Sequence, residues 1–341
     1  MYEDSLPASF LFLILIINKK KMSERKRMLL LKADLFGYAK AIESQFVELG
    51  YDVTGIIVNH QGTTFDRIVK DIPWFPQWKE NKVVLREYNR HPKNYDLIVA
   101  IRGDLLSRET IEFMKNENPH AKTILYLWDS VLENQFVKAI IGAFDEVKSF
   151  DRLDCPKYGF EYLPLFYTKE YHFDPNTSHE YKYLFSFVGT DHTDRHFILK
   201  ELERQAKEAG WDTYIHLRTS LLGYYKRKLR GMKVHKSDYK FESISSAYIS
   251  ELYRHSKCVV DIENDVQSGL TMRTFEALAS GKKLITTNKH IMESDLYHPN
   301  NVFVIDRKFP ILDESFVKSV FVYNPAIEKY SIEEWSKNLL R

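Results

Sequence analysis

The chain has 341 residues, 44% hydrophobic and 28% charged, which is enough for one large core or two of ordinary size. A net charge of +2 argues against a general nucleic-acid binder. Its two cysteines, Cys155 and Cys258, lie far apart without a CxxC or Cys/His pattern, which excludes a disulfide framework and fits a reducing compartment.

At the N-terminus, Phe10 to Ile17 is an apolar run followed by lysines. It is too short for a membrane span, which needs roughly 20 apolar residues. Its positive charge follows the apolar run instead of preceding it, and no small-residue cleavage site appears, so it makes a poor secretory signal. Two readings stand: a start codon assigned upstream of Met22 or Met28, or a short membrane-surface anchor. Regular patterning begins at Met28.

From there "MLLLKA" reads as a fully buried strand of the kind found in parallel sheets. Tyr38, Ile42, Phe46 and Leu49 recur at helical spacing before Gly50 ends the helix. "YDVTGIIVN" and "YDLIVAIRG" read as strands, and the stretch between them as a helix with loops. Ser107 caps a helix that closes before Pro119, and "KTILYLWDS" and "AFDEVKSFD" are two further strands. Tyr158 to Tyr183 is rich in aromatics and turn residues, with no sustained period. The alternation then restarts: "YLFSFVGT", a helix ended by Gly210, "WDTYIHLRT", a helix capped by Ser243 or Ser245, "KCVVDIE", "KKLITTN" and "NVFVID". The tail "SIEEWSKNLL" opens with Ser331 and Glu334 in a capping-box pattern. Strands alternating with helices predict doubly wound parallel sheets, whose ligands sit where strand ends lead into helices.

The stretch "SGLTMRTFEALASGKKLITT", Ser268 to Thr287, carries the most chemistry. Gly269 allows close backbone approach, Leu270 follows, and Thr271 can cap a helix. Arg273 falls in the first turn, beside Thr274, where the helix dipole disfavours a cation unless an anion is near. A guanidinium and helix amides together suit a diphosphate. Glu276, one turn on, can accept hydrogen bonds from a ribose diol. The competing reading is an intrahelical Arg273–Glu276 ion pair of a few tenths of a kcal/mol.

This stretch resembles the donor-binding motif of glycosyltransferases with the two-domain GT-B fold, most of all the bacterial spore-coat, capsule and lipopolysaccharide branch. "FSFVGTDHTDR", "LFGY", "LYLWDS" and "SKCVVDIENDVQSG" agree with that branch. The resemblance implies an α/β chain of two Rossmann-like domains facing a cleft. Residues 1–27 form an extension, 28–165 an acceptor domain, 166–183 a linker, 184–325 a nucleotide-sugar domain and 326–341 a C-terminal helix. Gly189 and Thr190 then look like a glycine turn at the cleft, with Arg195 as a further phosphate partner, or else a solvated helix residue. Gly37 and Arg102 fall at strand ends on the acceptor side. Asp129 is the candidate general base, or else a helix cap. Many retaining members carry a glutamate eight positions before Glu276; here Ser268 stands there, so the stereochemistry stays open.

A metal site is not expected: the chain has no clean Asp-x-Asp, and Asp261, Glu263 and Asp265 read as one solvated strand-end face. His192 and His196 lack the further ligands of a zinc site. The basic, aromatic-interleaved segment Tyr224 to Lys236 reads as a solvated face, or as a patch near an anionic membrane or glycan acceptor. The function expected is metal-independent transfer of a sugar from a nucleotide-diphospho-sugar to a hydroxyl of a surface-polysaccharide or lipid-linked acceptor, with no separate cofactor and no nucleic-acid partner. The setting is cytoplasmic, or peripheral at the inner face of the plasma membrane. Alternatives are a non-catalytic nucleotide-sugar-binding assembly protein, a nucleotide-sugar epimerase, and an oxidoreductase, which the absent GxGxxG disfavours.

Overall fold

A computed structural model describes residues 25–33, 37–58, 74–172 and 180–341, with backbone only at 74–78. The apolar run at 10–17, most of the N-terminal extension, the first part of "LFGY" and residues 173–179 of the linker lie outside the described residues. The chain divides into two compact units, one formed by the chain up to Leu127 with Gln135–Val147, the other by Trp128–Asn134 with Lys148–Arg341.

The first sheet starts with β1 (Arg27–Ala33), whose Met28 to Leu31 are fully buried. Then come α1 (Tyr38–Glu48), β2 (Asp52–Val58), α2 (Trp74–Tyr88), β3 (Leu97–Ile101), α3 (Arg108–Glu117), β4 (Lys122–Leu127), β5 (Glu146–Ser149), α4 (Asp154–Tyr158) and β6 (Glu161–Tyr162). The sheet order is β2-β1-β3-β4-β5-β6, and every pairing described is parallel. Continuous apolar strands such as "LIVAI" of β3, buried throughout, follow from helices covering both faces of such a sheet. Ser107 caps α3 as its sequence predicts, its Oγ accepting from the Thr110 amide at 3.2 Å.

The second unit holds β7 (Tyr183–Thr190), α5 (Arg195–Glu208), β8 (Thr213–Arg218), α6 (Leu221–Leu229), α7 (Ser246–Arg254), β9 (Ser256–Asp261), α8 (Met272–Ala279), β10 (Lys283–Thr286), β11 (Val302–Val304), α9 (Glu314–Lys318) and α10 (Ile332–Leu339). The sheet order is β11-β10-β9-β7-β8, again parallel. Its core joins Phe185, Phe187, Leu202, Cys258, Val260 and Ile285. Of the two serines the sequence offers for α7, Ser245 is the cap, accepting from the Tyr248 amide at 3.2 Å.

Where it is described, the aromatic segment after Tyr158 is packed against the fold. Leu163, Leu165, Phe166 and Tyr167 are buried, Phe166 packs on Trp335 of α10 at 4.5 Å, and Tyr167 bridges to Ser331. Aromatic density without helical or strand period is what such a packed, irregular segment produces.

Candidate functional site

Each sheet has one point where its strand order reverses: between β1 and β3 in the first, and between β7 and β9 in the second. Loops diverge there, so an open sheet offers a crevice at the carboxyl ends of those strands. The helices that follow three of these four strands share a feature. α1, α5 and α8 have no side-chain hydrogen bond at their N-caps, and neither has the short α4, whereas α3, α6, α7, α9 and α10 each have one. Helix starts left without a side-chain acceptor keep amides free for another partner.

In the second unit the β7–β9 pairing runs as far as Ser186–Val259. Beyond it, the Arg273 guanidinium spans the two strands. Its Nε and Nη2 donate to the Val188 carbonyl at 3.1 and 2.7 Å, and its Nη1 donates to the Asp261 carboxylate. The group also lies over the Phe187 ring, 4.9 Å from the centroid. The anion that a first-turn arginine calls for is therefore present in the chain itself. Burial pulls the Arg273 pKa down, Asp261 together with Tyr253 and Glu276 more than offsets this, and the net direction is upward.

Asp261 is fully buried and gathers further donors, taking the hydroxyls of Thr271 at 2.8 Å and Thr274 at 3.0 Å. Two expectations are corrected here. Thr271 does not cap α8 with its side chain; its hydroxyl is turned to donate to Asp261 instead. Asp261 and Glu263 do not form a solvated face: both are buried, and only Asp265 of the three is exposed. Strand-end acids count as solvated only when no cation folds back over them, and Arg273 and Arg307 do so. Gly189 is corrected too. It is a strand residue and not a turn, and a Cβ there would lie 2.9 Å from both Arg273 Nη2 and Phe187 Cζ. It is the gap through which the guanidinium reaches the strand.

Arg195 opens α5 and is only 7% exposed, so it is no solvated helix residue. Its Nε donates to the Ile262 carbonyl and its Nη1 to the Thr190 carbonyl, both at 2.6 Å. Its hydrogen bonds thus go to carbonyls and not to a carboxylate. Burial, and next the Arg273 charge, depress its pKa to about 9. Arg307 completes the group, donating to Asp194 at 2.7 Å and to Glu263 Oε1 at 2.8 Å. Burial also depresses the His192 pKa to about 4, helped by Arg195, Arg273 and Arg307, so that side chain is neutral at pH 7. Thus three guanidinia and a neutral imidazole meet at the switch point. Arg307, Glu263 and His192 carried no phosphate-binding signal in the sequence.

The loop before α8 behaves differently from its sequence reading. Gly269 approaches the ring of Phe150, where a Cβ would sit 2.4 Å from two ring carbons. Asp151 accepts from the Ser268 amide at 2.7 Å, the Gly269 amide at 3.2 Å and the Ser268 hydroxyl at 2.5 Å. Leu270 is buried beside them. The close approach that glycine permits is used by Phe150 and Asp151. Glu276 is 4% exposed and close enough to Tyr171 and Tyr253 that, after burial, it is the next cause raising both phenols. The ion pair Arg273 forms is with Asp261.

In the first unit Gly37 stands exposed at the start of α1 with φ 87°. Arg102 and Gly103 follow β3 with φ 79° and 75°, and the Arg102 Nε lies 3.1 Å from Asp104. A left-handed arginine is uncommon and carries strain, which tends to gather at functional positions. Asp129, in the Trp128–Asn134 segment that falls to the second unit, is half-buried in the bend after β4, where the hydroxyl that caps the turn belongs to Ser130, accepting from Glu133 at 3.2 Å. His192 and His196 diverge: His196 pairs with Asp238 at 3.1 Å and stacks on Tyr239. Among the described residues no group of three or more His, Cys, Asp or Glu is placed to hold a metal ion.

No protein family and no curated protein sequence matches the chain. Solved structures do. AviGT4, a glycosyltransferase involved in avilamycin A biosynthesis, is similar at TM-score 0.57 and 10% identity, over 92% of this chain and 96% of that one. The E. coli trehalose-6-phosphate structure bound with UDP-2-fluoro glucose is similar at TM-score 0.56 and 9% identity, over 92% and 98%. An α-glucosyltransferase in complex with UDP and a 13-mer DNA is similar at TM-score 0.52 and 13% identity, over 92% and 94%. With parallel sheets of six and five strands whose order reverses at β1/β3 and β7/β9, the chain has the α/β fold of GT-B glycosyltransferases.

Proposed function

We propose that the protein transfers a sugar from a nucleotide-diphospho-sugar to a hydroxyl of a surface-polysaccharide or lipid-linked acceptor. The observation that carries this reading is Arg195: a buried cation bonded only to carbonyls, at a strand switch point where α5 and α8 both begin without a side-chain cap. Such a place suits the two phosphates of a nucleotide-sugar. Three fold neighbours were solved with UDP or a UDP-sugar, which supports the choice of donor.

In this reading Arg195 and Arg273, with the first amides of α8, hold the diphosphate and stabilise the charge that builds on it as the glycosidic bond breaks. Fixed cations and amide dipoles can supply that stabilisation without a metal. Thr190 and Gly189 form the floor beside it, and Glu276 takes the ribose diol once the side chains over it part. Gly37 and Arg102 lie on the acceptor side, and Asp129 takes the proton of the attacking hydroxyl. No described helix is long and apolar enough to cross a membrane, and a lipid-linked acceptor is reached by peripheral contact.

A second reading, binding without transfer, draws on a specific observation. Asp261 already neutralises Arg273, and Asp151 already fills the Ser268 and Gly269 amides. A panel of nucleotide-diphospho-sugars, followed by calorimetry and by acceptor-dependent diphosphate release, separates the two. Binding with release supports transfer, binding without release supports the second reading, and the absence of any binding ends both.

A further inference from the structure

Helix α6 leaves four apolar side chains uncovered on one side. Leu221, Leu222 and Tyr225 are each more than half exposed, and Leu229 is 86% exposed. At 3.6 residues per turn their spacing places all four within an arc of about 100°. The other side of the helix is fixed to the fold: Tyr224 is buried against Tyr239, and Arg227 pairs with the buried Asp191. The apolar arc therefore points away from the protein. A face of this kind, continuous and uncovered, marks an interaction surface.

Charge identifies the occupant. Exposed Lys226 and Lys228 border the arc on its two sides, and exposed Arg230, Lys233 and Lys236 follow the helix. From Thr219 to Ser237 the sequence has no Asp or Glu. A nucleic acid would use the cations and leave the leucines without a role. A second copy in a two-fold contact would set the same lysines against one another. A bilayer with anionic headgroups takes both features, apolar side chains at the acyl boundary and lysines on the phosphates.

We propose that α6 and the basic segment after it form a docking surface for an anionic lipid bilayer. This deepens the peripheral association named above by assigning its surface and lipid class, and it does not depend on sugar transfer. Arg227 ties the docked helix to Asp191, next in sequence to Thr190 at the end of β7. The helix is thereby anchored to the loop that bears His192 and leads to Arg195 at the start of α5.

The test uses the full chain with vesicles of phosphatidylcholine alone and of phosphatidylcholine containing phosphatidylglycerol, followed by flotation. The protein binds the anionic vesicles, and less so as salt rises. Leu222→Asp with Leu229→Asp lowers partitioning by more than about tenfold. Lys226→Glu with Lys228→Glu lowers it by about thirtyfold or more and flattens the salt dependence. All four positions are exposed, so circular dichroism and nucleotide-sugar binding stay as in the parent. Undiminished flotation of the leucine pair, or equal binding to both vesicle types, overturns the proposal. So does a dimer that the same substitutions dissociate while vesicles are not bound, or retention on oligonucleotides in place of vesicles. Vesicle binding without any diphosphate release leaves this surface standing and removes only the transfer reading.

Discussion

Replacing Arg195 with methionine separates a residue kept for stability from one kept for an anion. The guanidinium is a buried cation whose pKa burial depresses from the ordinary arginine value to about 9. A basic group with a lowered folded pKa costs stability at every pH below that value, so at pH 7 the full cost is present. The depression corresponds to about 5 kcal/mol before relaxation and water penetration reduce it. Methionine escapes that cost and keeps most of the volume. Against it stands the loss of the two hydrogen bonds to Ile262 and Thr190, at about 1.5–3 kcal/mol each for a charged donor. The two contributions nearly cancel, so R195M unfolds in urea within about 2 kcal/mol of the parent protein, in either direction. Affinity for a nucleotide-diphospho-sugar, read by calorimetry, falls by about 1.5–3 kcal/mol, or about ten- to 150-fold. A variant that loses well over 3 kcal/mol of stability yet binds the donor unchanged would refute the reasoning and make Arg195 a structural strut.

Arg273→Ala behaves in the opposite way, costing about 3–5 kcal/mol because Asp261 is left buried without its partner. Adding Asp261→Asn recovers part of that loss in urea melts; strictly additive single effects count against the pair. His192, with its pKa pushed down to about 4 in the folded chain, binds fewer protons there than when unfolded. Stability therefore falls as pH drops from about 6.5 towards 4, and His192→Gln makes that part of the pH profile shallower; an unchanged profile removes His192 from the cationic group. Asp129→Asn lowers turnover by about 100-fold or more while donor affinity holds, as expected for loss of a general base. Parent-like turnover in that variant takes the proton-accepting role from Asp129.

Local sequence pattern was enough to read the main strands and most of the helices between them, but not the short elements α4, β6, α6 and α9. Ser107, Ser245 and Ser331 announce helix starts because capping is a contact between residues three apart. Apolar runs such as "MLLLKA" and "LIVAI" announce parallel strands because burial on both faces leaves no room for alternation. Arg273 also stood out, because a cation in the first turn of a helix needs an anion. α6 was harder: its apolar period is regular, but the arc faces outward while Tyr224 alone of its residues is buried.

Only the tertiary structure decided which groups meet. That Arg273 finds Asp261, that Gly189 makes room for it, and that Arg195 rests on Ile262 and Thr190 all follow from β9 lying next to β7. The occupation of Ser268 and Gly269 by Asp151 joins residues more than a hundred positions apart. Local pattern reports on a residue's near neighbours along the chain, whereas the pairing of strand ends is set by sheet order. A buried charge takes whichever opposite charge or carbonyl that order brings within reach.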